Sequence, residues 1–193
     1  MTLTATIGLR EEHQLILKVL GAFERVMVHL RAEPENPTPE VVEAVDDCLA
    51  FFRLFADACH HGQEEDVLFV ELVDRGMPRE VGPIAVMLAE HDQGRALVRA
   101  MIAAQQKAIG GDADGWADLE RAARDYVSLL RRHIMKEDGV LFEMADRMIA
   151  GPACHEICEL YHAVCLDKLE GRTRLELQEL AASVVERFPA EDV

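Results

Sequence analysis

One pattern, HxxxE[ED]xVLF, occurs twice in the chain: residues 60–69 read HHGQEEDVLF and residues 133–142 read HIMKEDGVLF. Positions i and i+4 share a helix face, so His60 with Glu64, and His133 with Glu137, project side by side. Those faces are otherwise apolar, with Leu68 beyond Glu64 and with Tyr126 and Leu130 before His133. A weaker echo precedes each copy, Glu12-His13-Gln14 against Glu90-His91-Asp92. His13 falls among Leu9, Ile16, Leu17 and Leu20, and His91 among Ile84, Met87, Leu88 and Val98. The chain therefore reads as two helical hairpins related by a pseudo-twofold, each delivering a lone histidine and then HxxxE, and all six groups are predicted to face a core.

An uncompensated carboxylate in a core costs several kcal/mol even after relaxation. Two of them, beside four imidazoles and few inward basic partners, call for added positive charge, which divalent cations supply. Four imidazole nitrogens and four carboxylate oxygens are too many for one ion and suit two, with both carboxylates bridging and a position left for solvent. The expected metal ligands are His13, His60, Glu64, His91, His133 and Glu137. Imidazole and carboxylate without thiolate suit iron, and also accept manganese or zinc. For the first copy the shifted pair His61 with Glu65 is the alternative to His60 with Glu64.

The rest of the sequence agrees with helices. Aromatic residues make up only 5% of a chain that is 50% hydrophobic, whereas strands favour aromatic and β-branched fillers. Amphipathic spacing predicts helices over about 7–31, 39–73, 82–109 and 116–149, and a fifth helical region over 153–188 that breaks at Gly171. Three prolines, Pro34, Pro37 and Pro39, interrupt the first two helices; Thr38 is the expected N-cap, and Gly110-Gly111 and Gly151-Pro152 end the third and fourth. The expected fold class is all-α, an antiparallel four-helix bundle over residues 1–150 with a C-terminal helical extension over 151–193 that packs on it.

Thirty-six acidic against 20 basic residues give a net charge of −16, a surface that repels nucleic acid and anionic membranes. With no membrane-length apolar run and no leader-like N-terminus, a cytoplasmic location is expected. Five cysteines, an odd number with no CxxC pair, predict no disulfide framework. An acidic surface and an extra C-terminal helix fit either a monomer or a homodimer.

The order His13, His60-x-x-x-Glu64, His91, His133-x-x-x-Glu137, with the flanking strings at residues 60–69 and 82–92, resembles the hemerythrin-like HHE cation-binding family over about residues 7–150. The resemblance implies a non-haem di-iron centre, two iron ions with oxo or hydroxo and carboxylate bridges. It further implies a protein that binds or senses dioxygen, nitric oxide or iron and redox state. The alternative it carries is a di-iron enzyme that consumes peroxide or nitric oxide, or donates iron for iron–sulfur cluster repair. The chain departs from the oxygen-carrying hemerythrins, which have a histidine four residues after the third-helix ligand, where this chain has Arg95, and HxxxxD in the last helix, where it has HxxxE. Arg95 and Tyr126 are the residues expected to act around the metals, Tyr126 more simply as packing. The cluster Cys154, His155, Cys158 and His162 is read as an ordinary helix surface with small buried cysteines.

Overall fold

The computed structural model describes residues 4–33, 37–166 and 168–190; Pro34–Asn36 of the expected proline break lie outside them. Among the described residues all regular structure is helical, in six helices. They are α1 (Ile7–Ala32), α2 (residues 39–74), α3 (Pro83–Ile109), α4 (residues 115–148), α5 (Ala153–Leu166) and α6 (Arg174–Arg187). Thr38 starts α2 by accepting from the Val41 N–H, with Pro39 in the first turn, and Thr173 starts α6 in a reciprocal capping box with Glu176. The close pair α3 and α4 is joined by a short turn through Gly111 (φ +89°). A Cβ on Gly115 would lie 2.4 Å from the Ala108 backbone nitrogen, so only glycine lets these two helices approach as they do.

Buried apolar side chains form two clusters rather than one. The larger holds Phe23, Phe51, Phe52, Phe55 and Tyr126. The smaller holds Leu9, Leu68, Phe69, Met87 and Phe142. In α1 and α3 the chain passes from the smaller cluster (Leu9, Met87) to the larger (Ile16, Val98); in α2 and α4 it returns from the larger (Cys59, Leu130) to the smaller (Leu68, Leu141). His13, His60, His91 and His133 occupy the crossing point in each helix, which places them in a polar belt between the two cores. α5 adds Ile157 and Tyr161 to the smaller cluster, while α6 adds Leu177, Ala181 and Val184 to the larger.

Two helices depart from the regular winding expected of them. In α2 the segments Phe52–His61 and Glu64–Leu68 are π-helical, and in α4 so is Glu137–Leu141. Phe69 N–H reaches the Glu64 carbonyl and Phe142 N–H the Glu137 carbonyl, the same i→i+5 bond at the same register of the repeat. A π turn takes in an extra residue and rotates the helix beyond it by roughly a quarter turn. That rotation lets the HxxxE pair and the following Leu-Phe pair all face inward: Glu64, Leu68, Phe69, Glu137, Leu141 and Phe142 are all buried.

The expectation of no disulfide is overturned. Cys59 of α2 and Cys165 of α5 are bonded across 106 residues of sequence. An odd cysteine count excludes complete pairing only, and the partner of Cys59 depends on where α5 docks, which no local spacing encodes. Cys48, Cys154 and Cys158 are free.

Candidate metal centre

The six predicted residues converge, each from its own turn of α1–α4. Glu64 and Glu137 are fully buried, and His13, His60, His91 and His133 are at most 1% exposed. His13 Nε2 lies 3.2 Å from Glu137 Oε2, as does His133 Nε2. Glu64 faces His60 Nε2 at 3.5 Å through one oxygen and His91 Nε2 at 3.4 Å through the other. Two groups of potential ligands share this space, one of His13, His60, Glu64 and Glu137, the other of His61, Glu64, His91 and His133.

His61 is therefore a seventh member. The sequence makes His61 an alternative to His60, because neighbours on a regular helix diverge by about 100°. In the π-wound stretch of α2 both are buried, and the His61 ring stacks on His91 with centroids 3.9 Å apart. Glu65, its partner in the shifted reading, turns instead to the other nitrogen of His91.

What makes the cluster chemically definite is the far side of each ring. His13 Nδ1 meets Asp138 at 2.8 Å, His60 Nδ1 meets Glu12 at 2.7 Å, and His61 Nδ1 meets Asp57 at 3.4 Å. His91 Nδ1 meets Glu65 at 2.7 Å and His133 Nδ1 meets Glu90 at 3.1 Å. An ionised carboxylate only accepts, so each Nδ1 carries a proton and donates, and in the neutral ring Nε2 is the atom left with a lone pair. The flanks of the repeat acquire a role: the residue after each HxxxE (Glu65, Asp138) holds the lone histidine of the other hairpin type, and the acid before each lone histidine (Glu12, Glu90) holds the histidine of HxxxE. Cations back several of these acids. Arg174 pairs with Glu12 at 2.7 Å, Lys136 pairs with Glu90, and Arg95 holds both Asp57 at 2.8 Å and Glu65 at 2.5 Å. Arg95 thus acts around the cluster by holding, from behind, the acids that face His61 and His91.

Five imidazoles and two carboxylates packed against one another leave buried polar atoms that added positive charge would satisfy. Both oxygens of Glu64 and of Glu137, and Nε2 of His13 and His60, have no hydrogen-bond partner among the described residues. The Nε2 atoms of His91 and His133 stand 3.1 Å apart, close to the roughly 3 Å that separates two nitrogens about 2.1 Å from a shared ion at right angles. The ionisation states show the same frustration. Burial, then Glu137 and Glu12, push the Glu64 carboxyl well above the usual range. Burial also acts to raise Glu137, but His133 and His13 hold it well below. His13 resists burial because Asp138 and Glu137 raise it to about 9. Burial and the neighbouring His133 keep His91 well below its ordinary value, and burial with His91 does the same to His61. Metal-free, the two acids are driven in opposite directions; bound cations would favour the ionised form of both and leave all five rings neutral. The donor set fits that group.

Other expected residues fall elsewhere. Tyr126 packs in the larger core, its ring 4.9 Å from Phe52. Cys154 is buried while His155 and His162 are exposed, so that cluster does not assemble a site. The sequence reading missed Tyr161 of α5, which is 6% exposed with a hydroxyl that has no hydrogen-bond partner. Burial, then the Glu64 charge, raise its phenol so that it stays protonated. It lies beyond the repeat, and nothing in its local pattern marks it.

An all-helical protein with a buried His/Glu belt of this kind is, by class, one whose site is compatible with cation binding. The chain matches the Hemerythrin HHE cation binding domain over residues 4–145 and belongs to that family. It is similar to the uncharacterized protein Rv1995 of Mycobacterium tuberculosis and the uncharacterized protein Mb2018 of Mycobacterium bovis. With each it shares 23% identity over 158 residues, 82% of this chain. The chain spans 60% of the length of these relatives. No solved structure matches it. No helix among the described residues is long and apolar enough to cross a membrane.

Proposed function

We propose that α1–α4 form an antiparallel four-helix bundle, residues 1–150, whose belt holds two iron ions, with residues 151–193 as an extension docked on it. The observation that supports this is the set of five imidazoles, each fixed through Nδ1 by a carboxylate with Nε2 turned inward on two partnerless, fully buried glutamates. Ligating histidines are characteristically held in this way by outer carboxylates. Glu64 and Glu137 each face histidines of both hairpins and are read as the bridging ligands. His13 and His60 would serve one ion, His61, His91 and His133 the other. Five nitrogens and four carboxylate oxygens fall short of the dozen positions of two six-coordinate ions, so room remains for a small ligand.

The centre, when loaded, supplies redox-active Lewis acidity toward a small diatomic or peroxide. The reading we adopt is a binding or sensing protein for dioxygen, nitric oxide or the iron and redox state. Tyr161 favours a second reading, turnover of peroxide or nitric oxide, because a protonated, unpartnered hydroxyl near Glu64 is what a proton-donating enzyme requires. Manganese and zinc suit the same donors.

Metal analysis with optical spectra of the oxidised and reduced protein tests the proposal, followed by azide, nitric oxide or peroxide. Two irons per chain with ligand-dependent spectra are expected. A single zinc and no spectral response would overturn the redox reading. Steady consumption of peroxide or nitric oxide that Tyr161→Phe slows, at unchanged metal content, would favour the enzyme.

A further inference from the structure

Among the described residues the extension is tied to α2 and to Glu12 of α1, next to the ligand-bearing turns. Cys165 is bonded to Cys59, the residue immediately before His60. Gln63, between His60 and Glu64, is 2% exposed and turns its amide to Cys165 Sγ at 3.0 Å. Lys168 pairs with Asp66, and Arg174 with Glu12, the acid that holds His60. Only one of these ties is covalent, and it joins the ligand-bearing turn of α2 to the helix that carries Tyr161.

That bond also borders a cleft at its Cys165 end. A cleft of about 420 Å³ has Cys165 in its wall, 5% exposed, with His162, Leu166, Arg172 and Arg174 around it. Cys59 on the other side is fully buried. Cys165 thus borders the cleft and Cys59 does not, and a thiolate in the cleft lies beside Arg172 and Arg174 in a chain whose net charge is −16.

We propose that Cys59–Cys165 is a reversible latch on the metal centre, opened by a small carboxylate-bearing thiol that binds in this cleft; the consequence for the metals rests on the metal-binding reading above. The thiolate attacks Cys165 Sγ, the Cys59–Cys165 bond breaks, and Cys59 leaves as a thiolate and takes a proton. A second thiol attacks the mixed disulfide, freeing the Cys165 thiol and yielding the low-molecular-weight disulfide; the same exchange run backwards closes the latch. With the bond cut, α5 is held over the centre by ion pairs and apolar contact alone, and exchange at the centre accelerates.

The test uses the full chain, oxidised and then reduced. Alkylation and mass spectrometry of the oxidised protein should find three free thiols and the 59–165 bridge. Mercaptoacetate should reduce the bridge faster than neutral mercaptoethanol, after correction for their rates on a small disulfide, and Arg172→Glu should remove that preference. Reduction should speed both amide exchange in residues 153–166 and metal removal by a chelator, the latter about tenfold, within the usual range for coupled sites. Cys165→Ser should behave as the reduced protein. Absence of the bridge, equal amide exchange in the two states, equal metal release, or no preference for the anionic thiol would each overturn the proposal. A protein that holds no metal in either state would sink the metal reading, and with it the latch's effect on the metals. A persisting difference in amide exchange would mark that failure as separate from the latch itself.

Discussion

Residues 60–69 and 133–142 share a pattern, a π turn and a glutamate aimed at the same space, yet among the described residues α5 packs chiefly on the first copy. At equivalent positions, Val67 is 8% exposed and Val140 51%. Gly62 has Lys168 and Val164 within 3.2 Å of where a Cβ would sit, whereas its counterpart Met135 is 65% exposed. Gln63 is buried against the disulfide, while its counterpart Lys136 reaches out to Glu90. The inner face differs as well. His61 with Asp57 in the first copy correspond to Ile134 and Leu130 in the second, both part of the apolar core. The HxxxE frame is thus the conserved half of a symmetric idea, and the residues between its letters record what packs on each side. One half presents an extra imidazole and a cover; the other closes with hydrocarbon.

The comparison is broken most severely at the ligand shared by both halves. Glu64→Gln should empty both positions and lower the melting temperature of the metal-loaded protein by roughly 10 °C, since metal binding stabilises only the folded state. Differential scanning calorimetry with elemental analysis checks this, and an unchanged melting temperature and stoichiometry would count against the assignment. Next in size is His61→Ile, which makes the first copy resemble the second. It should weaken the His61–His91–His133 position by at least about tenfold and leave the His13–His60 position filled, seen as a fall from two ions towards one.

The outer carboxylates sharpen the same contrast. Glu12→Gln and Glu90→Gln should each lower metal affinity by about 10- to 100-fold, measured by chelator competition. Apparent affinity should also climb with pH. His13 is raised to about 9 and the Glu64 carboxyl is pushed well above its usual range by burial and Glu137, so a cation competes with protons at both. Below about pH 9 the His13 proton works against binding, and affinity rises by up to about tenfold per pH unit for that proton. Proton release measured by titration calorimetry in two buffers reads this directly, and an affinity flat from about pH 6.5 to about pH 9 would contradict it. The smallest effect is outside the belt. Gly62→Met, importing the second copy's residue, should overpack α5 at a cost of about 1–3 kcal/mol. The reverse change, Met135→Gly, should cost only the roughly 1 kcal/mol of lost helix propensity, both by chemical denaturation.

Helix positions, the sequence repeat and the six residues that meet in the belt could all be read from the sequence, because helical periodicity and i, i+4 spacing are local. The carboxylate partners were visible only as unexplained flanks, since Glu12 meets His60 and Glu90 meets His133 across helices. His61 was hidden by the assumption of regular winding, which the π stretch at Phe52–His61 breaks. The disulfide and Tyr161 depend on the docking of α5 on α2, a tertiary choice with no periodic signal.

Anomalous diffraction from crystals of the iron-loaded protein tests the central claim most directly. Two peaks about 3.5–4 Å apart, between Glu64 and Glu137 with His61 bonded to one of them, are the predicted result. No peak in the belt, or a single ion held by other residues, would contradict the account.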